Sequence, residues 1–188
     1  LFRCVGIPAK GEAMDLQVLR QVCKKRRVKA IYTMPTLHNP LGWVADDAFR
    51  RDVALIAKEH DLIVIEDATY VWLVEDPPLP IHHYAPERTV YLAGFSKNVA
   101  SGLRVGMAVV PADKRHFVER AIRSTIWNTP ALMTAIVCCW VQDGTVTSLD
   151  KLKPADARFI QSVGREPLAL HPYDPHPLSY VLRRLLQQ

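Results

Sequence analysis

The chain has 188 residues, of which 49% are hydrophobic and 23% charged, with a formal net charge of +5. This balance predicts a globular protein with a sizeable core. Apolar runs stay short of the roughly 18 residues that a membrane span needs, and the start lacks a signal peptide's apolar core, which predicts a cytoplasmic protein. The positive charge permits contact with anions but identifies no partner.

Helical and strand-like segments alternate along the chain. Apolar spacing predicts a helix over Asp15–Arg27, then a strand in "VKAIYTMP" at 28–35, a helix over Ala45–His60 and a strand over Leu62–Asp67. Further strands are predicted at 89–94 and 105–110, and further helices at 111–126 and 130–144. Near-continuous apolar strands separated by helices predict an α/β fold, a mostly parallel sheet with helices on both faces.

The four cysteines are Cys4, Cys23, Cys138 and Cys139. They show no CxxC pairing, and the adjacent pair lies in an apolar helical run. The sequence therefore predicts buried free thiols and no disulfides.

Polar clusters follow three of the predicted strands. They are "HNPLG" at 38–42, "EDATY" at 66–70 and "FSK" at 95–97. Ligands of such sheets bind at the carboxyl ends of the strands. If the strands are neighbours, Asn39, Asp67, Tyr70 and Lys97 converge on one crevice.

The residue types in this set match one cofactor. A lysine amine can form an imine with an aldehyde, and a carboxylate such as Asp67 can hold a ring nitrogen protonated. Asn39 and Tyr70 can donate hydrogen bonds to a phenolate, and Arg104 suits a phosphate. An aldehyde, a pyridine nitrogen, a phenolic oxygen and a phosphate together describe pyridoxal 5′-phosphate.

The same motifs carry a family resemblance. "NPLG" resembles the NPTG segment, "DATY" the Asp-x-x-Tyr motif, and "FSKNVASGLRVG" the cofactor lysine and phosphate-binding arginine of class I/II aminotransferases. "YTMPTLHNPLG" is most similar to MocR-type regulators, GntR-family proteins in which a winged-helix DNA-binding domain precedes an aminotransferase-like domain. The resemblance implies the large domain of the pyridoxal phosphate-dependent transferase fold, fold type I.

The resemblance also implies a role for each residue. Lys97 would bind the cofactor as an imine and later move a proton as the catalytic base. Asp67 would pair with the pyridine nitrogen. Asn39 and Tyr70 would bind the phenolic oxygen.

The phosphate would be held by Arg104, with Ser96 nearby in support. Relatives usually carry serine or threonine where this chain has Gly94. The resemblance therefore implies the loss of one phosphate hydrogen bond at this position. Because the upstream segment that supplies the family's Gly-rich phosphate-binding turn also precedes the part matched here, weak retention of the cofactor is predicted.

The domain organisation implied by the resemblance is partial at both ends. Residues 1–150 correspond to the cofactor-binding large domain without its N-terminal portion, and residues 151–188 to a connecting helix and the start of the small C-terminal domain. The implied partners are an amino acid or amine ligand and a second copy in a homodimer, with DNA reached only through a domain absent from this chain.

Each site residue also has an ordinary structural interpretation. Lys97 can be a surface lysine, Asp67 a helix cap, Tyr70 a core residue and Asn39 a turn residue. His38, His82 and His83 lack partners at ligand spacing, so no metal site is predicted. Two functions remain open, the effector-sensing domain of a MocR-type regulator and a stand-alone amino acid aminotransferase, beside a partial fold remnant without activity.

Overall fold

The computed structural model describes residues 3–97 and 99–150. The largest sheet in this part of the chain has four strands. In chain order the elements are β1 (Ala9–Lys10), β2 (Ala13–Met14), α1 (Leu16–Lys25), β3 (Ala30–Thr33), α2 (Asp47–Glu59), β4 (Ile63–Asp67), α3 (Ile81–Tyr84), β5 (Thr89–Gly94), β6 (Gly106–Val109), α4 (Arg115–Thr125), α5 (Ala131–Gln142) and α6 (Thr145–Asp150). Single turns of 3-10 helix lie at Val71–Leu73, Ser101–Leu103 and Ala112–Lys114.

The sheet has the order β3-β4-β5-β6. Strands β3, β4 and β5 run parallel, and β6 pairs antiparallel with β5. The strands β1 and β2 form a separate antiparallel pair. The predicted mostly parallel α/β fold is confirmed.

The helices begin where the sequence provides caps. The Asp15 carboxylate accepts hydrogen bonds from the amides of Gln17 and Val18, and α1 starts at the next residue. Asp46 caps α2 in the same way through the amide of Phe49. The first predicted helix extends two residues beyond the observed end at Lys25, because Arg26 has an extended backbone with φ −139°.

One face of the sheet packs against α1 and α2. Ile31 and Val64, paired in register, join Leu19 of α1 and Val53 and Ile56 of α2 in the largest buried cluster. Because side chains alternate along a strand, Tyr32, Ile65 and Asp67 lie on the other face. The two faces of β3 and β4 therefore have different roles, one for packing and one for polar groups.

A second cluster lies next to the carboxyl end of β5. Phe95 and Leu103, which flank the polar segment after that strand, are buried with Val137 of α5 and Val146 of α6. This packing fixes both ends of the segment 95–103.

The cysteines are free, as predicted, but the predicted burial is wrong for three of them. Cys4, Cys138 and Cys139 are exposed, and Cys23 is half-buried. In α5 the buried position is Val137, and the next two residues turn away from it by about 100° each.

The segment 151–188, predicted to form the connecting helix and the start of the small domain, lies outside the described residues. Among the helices described up to residue 150, none combines the length and the apolar character that crossing a membrane requires.

We predict that Ile56→Ala lowers the free energy of unfolding by about 2 to 5 kcal/mol, since this fully buried side chain leaves a cavity in the main cluster. Leu55 on the same helix is 48% exposed, so Leu55→Ala is the matched control and changes the stability far less. Urea unfolding followed by circular dichroism measures both. Equal losses for the two variants would contradict the burial of Ile56 in the main cluster.

Candidate functional site

The polar clusters meet at one edge of the sheet. Because β3, β4 and β5 are parallel and adjacent, their carboxyl ends at Thr33, Asp67 and Gly94 lie along that edge. The amide of Ala68 donates to the carbonyl of Leu92 at 2.8 Å, so the chain after β4 stays beside β5. The three strands are thus neighbours, which is the condition on which the predicted convergence of the site residues depends.

Asp67 is a buried carboxylate at this edge, with 6% of its surface exposed. Its Oδ1 accepts hydrogen bonds from the backbone N–H of Thr69 at 3.0 Å and from the Thr69 hydroxyl at 2.5 Å. These two bonds hold the turn between Asp67 and Thr69. Asp67 does not cap the 3-10 helix Val71–Leu73, because the N-cap residue of that helix is Tyr70 and no side chain of the described residues makes a capping hydrogen bond there. Within residues 3–97 and 99–150, Asp67 forms no salt bridge with a basic side chain.

Tyr32 is a member of the site that the sequence patterns did not reveal. Its hydroxyl donates to Oδ2 of Asp67 at 2.7 Å, although 48% of the Tyr32 side chain is exposed. Tyr32 pairs with Ile65, two residues before Asp67, and therefore shares its face of the sheet. In the sequence, the only sign of this role was a tyrosine among the apolar residues of β3. The register between β3 and β4 shows that its hydroxyl reaches Asp67.

Asn39, Tyr70 and Lys97 form a second group. Nδ2 of Asn39 donates to the Tyr70 hydroxyl at 3.4 Å, and Nζ of Lys97 lies 5.6 Å from the centre of the Tyr70 ring. The Tyr70 ring packs against the buried pair Leu37 and Leu73. Tyr70 thus packs its ring in a small apolar cluster, and its hydroxyl faces the exposed Asn39.

Arg104 and Ser96 follow the carboxyl end of β5, and within the described residues no hydrogen bond or ion pair joins either of them to Asn39, Asp67 or Tyr70. Ser96 is half-buried and follows Phe95, while Arg104 is exposed and lies two residues before β6. Arg104 has the left-handed backbone φ of +52°, which is uncommon for a residue with a side chain. Its guanidinium forms no ion pair with any residue of the described chain.

Gly94 has room for a side chain. A Cβ at this position would lie 3.6 Å from the Val105 carbonyl oxygen and 3.8 Å from the Gly106 Cα, which are ordinary contacts. Because Gly94 is two residues after Leu92, the register partner of Asp67, its side chain would face the Asp67 side of the sheet. The backbone here therefore does not require the glycine.

Glu66 is a second buried carboxylate, on the opposite face from Asp67. Its two oxygens accept from the backbone N–H groups of Ile81 at 2.9 Å and His82 at 3.0 Å. Burial raises the pKa of the Glu66 carboxyl, against the opposing effects of these two donors and of Arg50. The Glu66 carboxylate is thus held by backbone N–H groups of the fold. Asp67 is the buried carboxylate on the face of β4 that also carries Tyr32 on β3.

The sequence predicts that His38, His82 and His83 do not bind a metal ion. Burial lowers the pKa of His38, whose ring lies 4.5 Å from that of Trp43, centre to centre. His82 and His83 are in α3. Between residues 3 and 150, apart from 98, no group of three or more His, Cys, Asp or Glu side chains is arranged to hold a metal ion.

The site residues offer a specific set of chemical groups. Asp67 supplies a buried anionic acceptor, and Lys97 an exposed amine that forms no ion pair with the described residues. Asn39 and Tyr70 supply neighbouring donors, and Arg104 supplies a guanidinium open to solvent. This set suits a flat polar ligand that carries a basic ring nitrogen, a carbonyl and an anionic group.

Comparisons with known sequences identify a family and two kinds of relatives. A family model described as aminotransferase class I and II matches residues 5–162. The chain is 33% identical over 118 residues to the uncharacterized HTH-type transcriptional regulator YdeF of Bacillus subtilis, covering 63% of this chain and 26% of that protein. It is 29% identical over 157 residues to 2-aminoadipate transaminase of Thermus thermophilus, covering 80% of this chain and 40% of that enzyme.

Solved structures share the fold. The multiple substrate aminotransferase of Thermococcus profundus superimposes with a TM-score of 0.75 at 26% identity, covering 80% of this chain and 39% of that one. The α-aminoadipate aminotransferase LysN of Thermus thermophilus, complexed with N-(5′-phosphopyridoxyl)-L-leucine, gives a TM-score of 0.76 at 26% identity, with 83% and 42% covered. The chain thus spans between about a quarter and two-fifths of the length of these relatives.

The family model covers most of the sequence, and the described strands and helices superimpose on aminotransferases. The chain therefore belongs to the aminotransferase class I and II family, and its described part has the fold of the large domain of the pyridoxal phosphate-dependent transferases of fold type I.

Proposed function

We propose that this chain is the pyridoxal 5′-phosphate-binding, aminotransferase-like domain of a MocR-type GntR-family transcriptional regulator. The family membership supports the cofactor, and relatives described as HTH-type transcriptional regulators, such as YdeF and YisV of Bacillus subtilis, support the regulatory context. The amino acid or amine that binds to the cofactor would be the effector.

The observation that carries the cofactor proposal is the environment of Asp67. A buried carboxylate is costly unless a cation or several donors compensate it. Asp67 receives hydrogen bonds from Thr69 and Tyr32, but no cationic side chain of the described chain pairs with it. The three donors offset part of the cost of burying this carboxylate, and a protonated pyridine nitrogen would add a cationic partner that they do not provide, beside Tyr32 on the same oxygen.

The remaining groups fit the other ends of the cofactor. Lys97 would hold the aldehyde carbon covalently, and the Asn39 and Tyr70 donors, 3.4 Å apart, would bind the phenolic oxygen. Arg104, exposed and without an ion pair in the described chain, would bind the phosphate together with Ser96. Gly94 contributes no hydroxyl to that phosphate site.

When bound, pyridoxal 5′-phosphate supplies an electron sink for amino-group chemistry. Asp67 would keep the ring nitrogen protonated, because its carboxylate stabilises a positive charge at that atom. The Tyr70 hydroxyl already accepts a hydrogen bond from Asn39, so its own hydrogen is free to point at the phenolic oxygen. Lys97, released from covalent attachment, would move the proton at the substrate's reacting carbon.

The wider organisation is also part of the proposal. Residues 1–150 would belong to the large domain and residues 151–188 to the connection and the start of the small domain, with DNA contacted by a separate winged-helix domain. Exposed apolar side chains near the α4–α5 connection, Ile126, Trp127 and Leu132, support a homodimer, which sedimentation velocity measures directly. A cytoplasmic location stays a prediction.

A stand-alone amino acid aminotransferase is the second candidate. It is favoured by relatives such as the aromatic-amino-acid aminotransferase 1 of Thermococcus litoralis, 32% identical over 124 residues. Both candidates use the same cofactor site, so they differ in the fate of the amino group once an amino acid has bound.

We predict that pyridoxal 5′-phosphate gives the purified chain a visible absorbance band, and that borohydride reduction fixes a pyridoxyl group on Lys97. Lys97→Ala abolishes both signals, because the amine that binds the aldehyde is removed. Lys24→Ala, at the exposed end of α1, is the matched control and keeps them. Peptide mass spectrometry locates the label, and a label that persists in Lys97→Ala would contradict the assignment.

We predict that Asp67→Asn weakens pyridoxal 5′-phosphate binding by about tenfold or more, since a neutral amide cannot compensate the protonated ring nitrogen. Asp61→Asn is the control, because Asp61 is exposed and pairs with Arg88. Absorbance titration gives both dissociation constants. Unchanged affinity in Asp67→Asn would remove the main support for the cofactor site.

The two candidate functions predict different results with amino acids. In the regulator, an amino acid alters the absorbance of the loaded chain without sustained transfer to a 2-oxo acid, and the coding sequence upstream of Leu1 encodes a winged helix. In the aminotransferase, amino acid and 2-oxo acid interconvert over many turnovers. Chromatographic measurement of the oxo acid product and reading of the upstream sequence together decide between them.

A further inference from the structure

The loop that carries Asn39 is closed by a narrow neck. Thr36 and Val44 form an antiparallel bridge, and the amide of Ala45 donates to the carbonyl of Pro35 at 2.8 Å. Asn39 lies in the loop between Thr36 and Val44 and is exposed. Its position relative to Tyr70 therefore depends on how the neck is held.

One buried arginine holds both sides of the neck. Arg50, on α2, is fully buried, and its Nε donates to the Ala45 carbonyl at 3.0 Å. Its Nη2 donates to the Pro35 carbonyl and to the Thr36 hydroxyl, both at 2.9 Å. The planar fork of a guanidinium can reach these three acceptors at once, which the single ammonium of lysine cannot do with the same geometry.

The same guanidinium faces β4. Nη1 of Arg50 lies 3.7 Å from Oε1 of Glu66, the residue directly before Asp67, and has no hydrogen-bond partner within the described residues. Glu66 is itself held by the amides of Ile81 and His82. Arg50 thus links the neck of the Asn39 loop to the strand that ends in Asp67.

A buried ion pair whose Nη1 amino group lacks a hydrogen-bond partner within the described residues contributes little stability, because removing two charges from water costs more than a loose contact returns. The three hydrogen bonds to the neck are specific in position, and they add a buried side-chain link to the backbone contacts that close the neck. Arg50 therefore fixes the position of the neck and adds little to the stability of the fold.

We propose that Arg50 is a positioning residue, which fixes the neck of the 36–44 loop against Glu66 and so keeps Asn39 within reach of Tyr70. Its role in cofactor binding rests on the function proposed above, whereas its role in holding the loop does not. The two parts are tested separately.

The first test measures the loop itself in the full chain, without cofactor. Hydrogen exchange of the Ala45 amide, which closes the neck, and of the His38 and Gly42 amides inside the loop should accelerate about tenfold in Arg50→Lys. Thr36→Val, which removes a single acceptor of Arg50 and changes little volume, should give a smaller acceleration at the same amides and covers the case in which Arg50→Lys fails to fold.

Arg51→Lys is the matched control. Arg51 is the next residue on α2, but it is exposed, pairs with Asp47 and lies over the Tyr84 ring. It should leave loop exchange unchanged. Loop exchange that stays at the wild-type rate, or that accelerates equally in α1, would overturn the proposal, because the effect would then be absent or merely global.

The second test uses pyridoxal 5′-phosphate binding in a double-mutant cycle. Arg50→Lys should weaken binding about tenfold in the wild-type background and have little effect when Asn39→Ala is present, since Arg50 acts through Asn39. Fully additive losses would overturn the positioning role. If the wild-type chain does not bind the cofactor, the proposed function fails, and the exchange experiment still decides whether Arg50 holds the loop.

Discussion

The parallel register between β3, β4 and β5 is the constraint on which the site depends. It pairs Tyr32 with Ile65 and Asp67 with Leu92, and it brings three polar strand ends to one edge. A slip by one residue would exchange the faces of Glu66 and Asp67, because side chains alternate along a strand. Packing of Ile31 and Val64 against α1 and α2 makes such a slip costly.

The adjacent carboxylates Glu66 and Asp67 show how one strand serves both folding and chemistry. Glu66 receives two backbone N–H donors and faces Arg50 on the side of the helices. Asp67 receives hydroxyl and amide donors but no cation in the described chain. Glu66 thus has a cationic neighbour within the fold, whereas the described partners of Asp67 are uncharged, and burial on either side of the sheet strengthens both sets of interactions.

The remaining site residues lie on loops that rigid elements hold at their ends. The Asn39 loop contains Leu37 at φ +55°, and the segment after Lys97 contains Arg104 at φ +52°. Both conformations are uncommon for residues with side chains and persist where the surroundings enforce them. Here those surroundings are the Arg50 neck contacts on one side and the packing of Phe95 and Leu103 on the other. The sheet and helices, together with these two strained loops, set the positions of the site residues.

The sequence by itself determined the alternation of strands and helices, the mostly parallel α/β class and the family, because apolar periodicity and the motifs around Asn39, Asp67 and Lys97 are local properties of the chain. Tertiary structure alone decided that Tyr32 reaches Asp67, that Arg50 joins the Asn39 loop to Glu66, and that Cys138 and Cys139 face outward. These features depend on register and helix packing between residues far apart in sequence, whose contacts no local pattern encodes.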